Sequence, residues 1–105
     1  MRQYGTFAQD VPTLLTLTDL YTVPAATQFV GKVRVVDESG TGTAFRLSVG
    51  VAGAADDPKQ YLAYDMAIAG NVAIEVPLEC GPGDVIRGYA TLGTLAFTVS
   101  GCLIT

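Results

Sequence analysis

The chain contains no histidine and no tryptophan. Without histidine there is no His-dependent catalytic triad, no His-containing zinc site, and no side chain whose ordinary pKa lies near neutrality. Cysteine is nearly missing as well, and Cys80 and Cys102 alone cannot complete a structural zinc site. Charge is scarce: 15% of the 105 residues are charged and 50% are hydrophobic. So few charges leave much of a small domain's surface uncharged, which implies that part of it is covered by a partner or by copies of itself. The basic residues Arg2, Lys32, Arg34, Lys59, Arg46 and Arg87 are scattered, and the net charge is −4. With no basic patch, a nucleic-acid partner is not expected. No apolar run approaches the roughly 20 residues of a membrane helix, so no membrane partner is expected either. Met1–Thr6 lacks the apolar stretch of a signal peptide, and synthesis and retention in a cytoplasm, with release only by lysis, are expected.

Alternation with a period of two residues runs through most of the chain, and no helical period is found. Its clearest stretch is Val72–Tyr89. Val72, Ile74, Val76 and Leu78 occupy alternate positions, and Ala73, Glu75, Pro77 and Glu79 lie between them, as in a strand with one buried face. Gly81-Pro82-Gly83 reverses the chain, and Val85–Tyr89 runs back, so this stretch reads as a hairpin. Phe29–Val35 and Phe45–Val51 alternate in the same way on either side of the turn Asp37–Gly42, and read as a second hairpin. Gln60–Ile68 and Leu95–Leu103 are further strands, the latter expected to tie the end of the chain into a sheet. Thr13–Val23 holds one or two more. Ala52–Pro58 reads as a small flexible connection. Residues 1–12, with Tyr4 and Phe7 and a stop at Val11-Pro12, read as an N-terminal arm. Residues 13–105 read as a single domain. The fold class that follows is all-β: an antiparallel, jelly-roll-like β-sandwich of seven to eight strands.

The residues offer little chemistry. Asp56, Asp57 and Asp65 lack the spacing of a calcium loop. Asp37/Glu38 and Asp56/Asp57 are sequence neighbours in turns and read as solvated turn acids, because a glycosidase needs two carboxylates facing across a cleft. Gly81-Pro82-Gly83-Asp84 lacks the Lys and Ser/Thr of a phosphate loop and leads into a strand. No catalytic residue, cofactor or metal is therefore expected, and the chain does not read as an enzyme. The tyrosines Tyr4, Tyr21, Tyr61, Tyr64 and Tyr89 suit core or subunit packing better than ligand stacking. The candidate interface is the arm, through Tyr4, Phe7 and Val11. Cys80 and Cys102 default to free thiols in a reducing compartment, and a bridge requires Cα atoms within about 7 Å.

Several strings also resemble a known group. Leu20–Ala25, Phe45–Val49, Gln60–Asp65, Gly83–Ala90 and Leu95–Gly101, in that order, are similar to small virion proteins of tailed bacteriophages, over roughly residues 20–105. The resemblance implies an accessory structural role in the particle, foremost as a capsid decoration (cement) protein. Its partners would be copies of itself, as a trimer, and the major capsid protein or other virion proteins. Its location would be the virion, after synthesis in the host bacterium. A tail, neck or baseplate component is the neighbouring alternative. A β-sandwich that binds host glycan through tyrosines is the alternative of a different class.

Overall fold

A computed structural model describes residues 1–105 and contains eight strands. They are β1 (Arg2–Asp10), β2 (Thr18–Thr22), β3 (Gln28–Asp37), β4 (Thr43–Gly50), β5 (Tyr61–Ile68), β6 (Ala73–Cys80), β7 (Val85–Ala90) and β8 (Leu95–Ile104). Two short 3-10 turns, Val51–Gly53 and Pro58–Gln60, lie between β4 and β5. The strands form two four-stranded antiparallel sheets: sheet A in the order β1-β8-β3-β6 and sheet B in the order β2-β7-β4-β5. This is the antiparallel sandwich expected. Its pairs β1·β8, β2·β7, β3·β6 and β4·β5 are the rungs of one long hairpin whose rungs alternate between the sheets, a jelly-roll-like winding.

Period-2 alternation determines which side chains enter the space between the sheets. Phe29, Val33 and Val35 of β3 and Leu95, Phe97 and Val99 of β8 are buried from sheet A. Phe45 and Leu47 of β4 and Ile86 of β7 meet them from sheet B. At the centre the Phe45 and Phe97 rings pack edge to face, with centroids 6.2 Å apart. Of the β6 alternation, Leu78 and Cys80 are buried, while Ile74 and Val76 pack against the core from the edge strand. Pro77 is tolerated on β6 because that strand is the edge of sheet A.

The pairing differs from the expected hairpins. β6 and β7 do not pair: β6 bonds to β3 in sheet A, and β7 lies between β2 and β4 in sheet B. The Gly81–Asp84 turn crosses from one sheet to the other. Likewise β3 and β4 lie in opposite sheets, and the Asp37–Gly42 turn is a crossover. Asp37, expected as a solvated turn acid, is fully buried there; its Oδ1 accepts bonds from the Ser39 N–H at 2.9 Å and the Ser39 hydroxyl at 2.6 Å. Residue 70 must be glycine at this crossover, because a Cβ would collide with the backbone of Gly40 and Thr41. Thr13–Val23 supplies one strand, β2, since Leu14 and Leu15 form a turn with Leu15 at a φ of 57°.

The segment read as an arm is strand β1. Arg2–Asp10 pairs with β8 from Arg2↔Ile104 to Asp10↔Phe97, with one register shift between Thr6 and Ala8. Tyr4 and Phe7 belong to an edge strand, where half of the side chains have little to cover them, and Val11-Pro12 stops that strand rather than an arm. The irregularity at Phe7 breaks the alternation by which a strand is recognised.

Candidate interface surfaces

Register places the side chains of sheet A on definite faces. Phe29 pairs with Cys80 and with Leu103, and all three belong to the core. Its chain neighbour Val30 pairs with Cys102, which pairs in turn with Tyr4. Successive residues of a strand point to opposite faces, so Val30, Cys102 and Tyr4 form a row across the outer face of sheet A. Arg2, Gly101 and Ile104 complete a shallow depression of about 410 Å³ there. Tyr4 is 72% exposed and Val30 46%. Beside this apolar end lies a charged cluster, where Glu75 accepts hydrogen bonds from Arg34 at 2.7 Å and pairs with Lys32 at 3.0 Å. Those bonds, Arg34's first, hold the Glu75 carboxyl below the usual carboxylate range.

The outer face of sheet B is organised by Arg46. Its guanidinium carbon lies 4.1 Å from the Tyr64 ring centroid and 4.6 Å from that of Tyr89. The same group donates to both carboxylate oxygens of Asp65, at 2.7 and 3.3 Å. Asp65 reaches this position because β5 bulges there. Its φ is 52°, and the register between β4 and β5 shifts between the Phe45 and Leu47 pairs. Tyr61 packs against Tyr64 edge to face at 5.1 Å and donates its hydroxyl to Asp56 at 2.8 Å. Burial first, and the bond to Asp56 second, push the Tyr61 phenol up to about 12. Leu62, Tyr64 and Met66 leave the β5 strand exposed and apolar.

The three residues expected at the interface do not share one surface. Tyr4 faces outward on sheet A. Phe7 faces inward, half-buried, with its ring 5.9 Å from Tyr21 and 6.0 Å from Phe29. Val11 lies beyond the end of β1, exposed, beside Asp10 and Phe97. Among the tyrosines, Tyr21 is a core-edge residue whose phenol is raised by burial, Tyr4 and Tyr64 are exposed, and Tyr61 and Tyr89 are half-buried on sheet B.

No group of three or more His, Cys, Asp or Glu side chains is placed to hold a metal ion. Asp84, read from the sequence only as part of a turn, is instead a buried tie-point. Its two oxygens accept from the Gly81 N–H at 2.8 Å and the Ala52 N–H at 2.9 Å. The sequence signal was an aspartate directly after a Gly-Pro-Gly turn, a type that bonds nearby backbone.

No protein-family model and no curated protein matches the chain. Comparison with solved structures finds a crystal structure of a pentameric capsid protein isolated from metagenomic phage sequences, with a TM-score of 0.36 and 17% identity over 93% of this chain. The chain spans 58% of that protein's length.

Proposed function

We propose that this chain is a structural protein of a tailed-phage virion, and within it a capsid decoration protein that binds the head surface and stabilises the shell. The observation that carries the reading is where the apolar surface lies. Among the exposed large hydrophobic side chains, two groups lie on strands: Tyr4 and Val30 on the outer face of sheet A, and Leu62, Tyr64 and Met66 on β5. Such surfaces cost free energy in water and are stabilised when an assembly covers them. The strings that carry the sequence resemblance support the same reading. They fall on β2, β4, β5, β7 and β8, which is all of sheet B and one strand of sheet A. In this role the chain catalyses no reaction. Each contact adds burial that exists only in the assembled shell, so bound copies raise particle stability by mass action.

Copy number in purified particles, by mass spectrometry against the major capsid protein, tests this directly. A decoration protein is present in simple ratio to the capsid protein, at hundreds of copies. A few to a few tens of copies place the chain in the tail, neck or baseplate, and absence from particles overturns the virion reading. The Tyr64 ring, 59% exposed and flanked by Tyr61, favours a second reading as a glycan-binding module. That reading requires the isolated chain to bind sugar and to lose binding on Tyr64→Ala.

A further inference from the structure

A free sheet edge presents unpaired backbone N–H and C=O groups, and proteins usually blunt such edges. Three of the four edges here are blunted. β6 carries Pro77 between Glu75 and Glu79. β5 has two register shifts and the left-handed Asp65. β2 is five residues long and shifts between Asp19 and Tyr21. The Arg2–Thr6 half of β1 has none of these devices: it holds no proline and no acid, it pairs regularly with β8, and all of its residues are exposed.

Which of its backbone groups are free follows from the ladder. Met1 and Thr105 exchange both bonds, N–H to carbonyl at 2.7 Å in one direction and 2.9 Å in the other. Antiparallel pairs alternate between bonded and non-bonded, so Met1, Gln3 and Gly5 bond to β8. Arg2, Tyr4 and Thr6 turn their N–H and C=O groups outward to the open edge. That set is symmetric about Tyr4. A second copy related by a twofold axis at Tyr4 places Tyr4 opposite the second copy's Tyr4, and Arg2 opposite its Thr6. Each of these pairs then exchanges both backbone bonds.

We propose that two copies of this chain associate through β1 about a twofold axis at Tyr4, joining their A sheets into one continuous sheet. Side chains agree with this register. Opposite residues share a face, so the Val30–Cys102–Tyr4 row of one copy continues directly into the Tyr4–Cys102–Val30 row of the other. Arg2 meets the neutral Thr6, and the two Arg2 side chains stand about 13 Å apart along the strands, beyond the Debye length at physiological salt. A contact this short produces a weak dimer. It does not depend on the virion reading.

Sedimentation equilibrium of the full chain between about 1 µM and 1 mM, the range in which weak pairs titrate, is expected to show the mass rising from 10.9 kDa toward twice that value. Tyr4→Pro removes an N–H that only the second copy uses, and an edge strand accepts proline at such a position. It is expected to weaken the dimer at least tenfold. Register is tested by cross-linking in a Cys102→Ala background, because Cys102 lies directly opposite residue 4 within one chain. Under oxidation, Tyr4→Cys is expected to give a disulfide-linked dimer, since bonded antiparallel pairs hold their Cα atoms about 5.5 Å apart. Thr6→Cys is expected to give no disulfide-linked dimer, because the same register sets the two copies of residue 6 too far apart to bridge. A single-chain mass throughout, a trimer, or cross-linking at residue 6 rather than residue 4 overturns the proposal. If the proline variant does not fold, the two cysteine variants decide it.

Discussion

Cys80 and Cys102 flank the same strand, β3, yet stand on opposite faces of sheet A, because their partners Phe29 and Val30 are consecutive residues. Both thiols are free and buried. The intact chain is therefore expected to form no intramolecular disulfide under mild oxidation. A thiol reagent should modify both residues only after unfolding, and rapid loss of two thiols from the native chain would contradict the register.

Asp84 accepts backbone bonds from Gly81 and from Ala52, and so ties the β6–β7 crossover to the turn after β4. Asp84→Ala leaves two backbone donors without their charged acceptor. A loss of about 3–6 kcal/mol is expected in urea unfolding, since two charge-assisted bonds of about 1.5–3 kcal/mol each are removed. Asp84→Asn should recover part of this, because one of its atoms still accepts.

Phe7 distinguishes a strand from an arm. Packed against Tyr21 and Phe29, it is expected to cost about 1–3 kcal/mol on Phe7→Ala, with the slope of the denaturant transition unchanged. An arm outside the core would leave the unfolding midpoint where it was.

Alkaline stability should decline in two stages. Burial, with the Asp84 charge second, pushes the Cys80 thiol from its ordinary 9 up to about 11, and Tyr61 is pushed from 10 up to about 12. A raised folded-state pKa means that the folded chain holds the proton more tightly. Its contribution is complete below the unfolded value and is lost as pH rises through the folded one. Urea midpoints are therefore expected to hold up to pH 9 and to fall from there toward 12. Cys80→Ala should flatten the first stage and Tyr61→Phe the second.

Arg46 stacks between two tyrosines and pairs with an exposed Asp65 side chain. Arg46→Ala is expected to lower the urea unfolding midpoint only slightly, because exposed ion pairs and exposed cation–π contacts both contribute little. Arg46→Lys should not restore it fully, since an ammonium lacks the planar fork that lies against a ring while bonding both oxygens of one carboxylate.

Strand positions and inward faces were largely legible in the sequence. Val33 and Val35, Phe45 and Leu47, and Phe97 and Val99 all occupy the buried phase that their alternation marks. It was less legible where the alternation breaks, as at Phe7 on β1 and Asp65 on β5, since a bulge shifts the phase without any residue that announces it. Of the three residues read as the candidate interface, Tyr4 and Val11 are exposed and Phe7 packs against the core. Whether an aromatic on an edge strand points in or out depends on that phase, and Phe7 points in.

What the sequence by itself determined is the all-β class and the identity of most core side chains, because burial selects apolar residues with the period of the pleat. Only the tertiary structure decided which strands pair. Backbone hydrogen bonds are the same for every residue type but proline, so a strand's composition names its buried face and not its neighbour. The turns Asp37–Gly42 and Gly81–Asp84 read as local reversals, and a few residues are enough to reverse a chain within one sheet. They are also enough to span the ~10 Å between two sheets. Here the second option prevails, because placing alternate rungs in opposite sheets lets Phe29 and Phe97 meet Phe45 and Ile86 in one closed core.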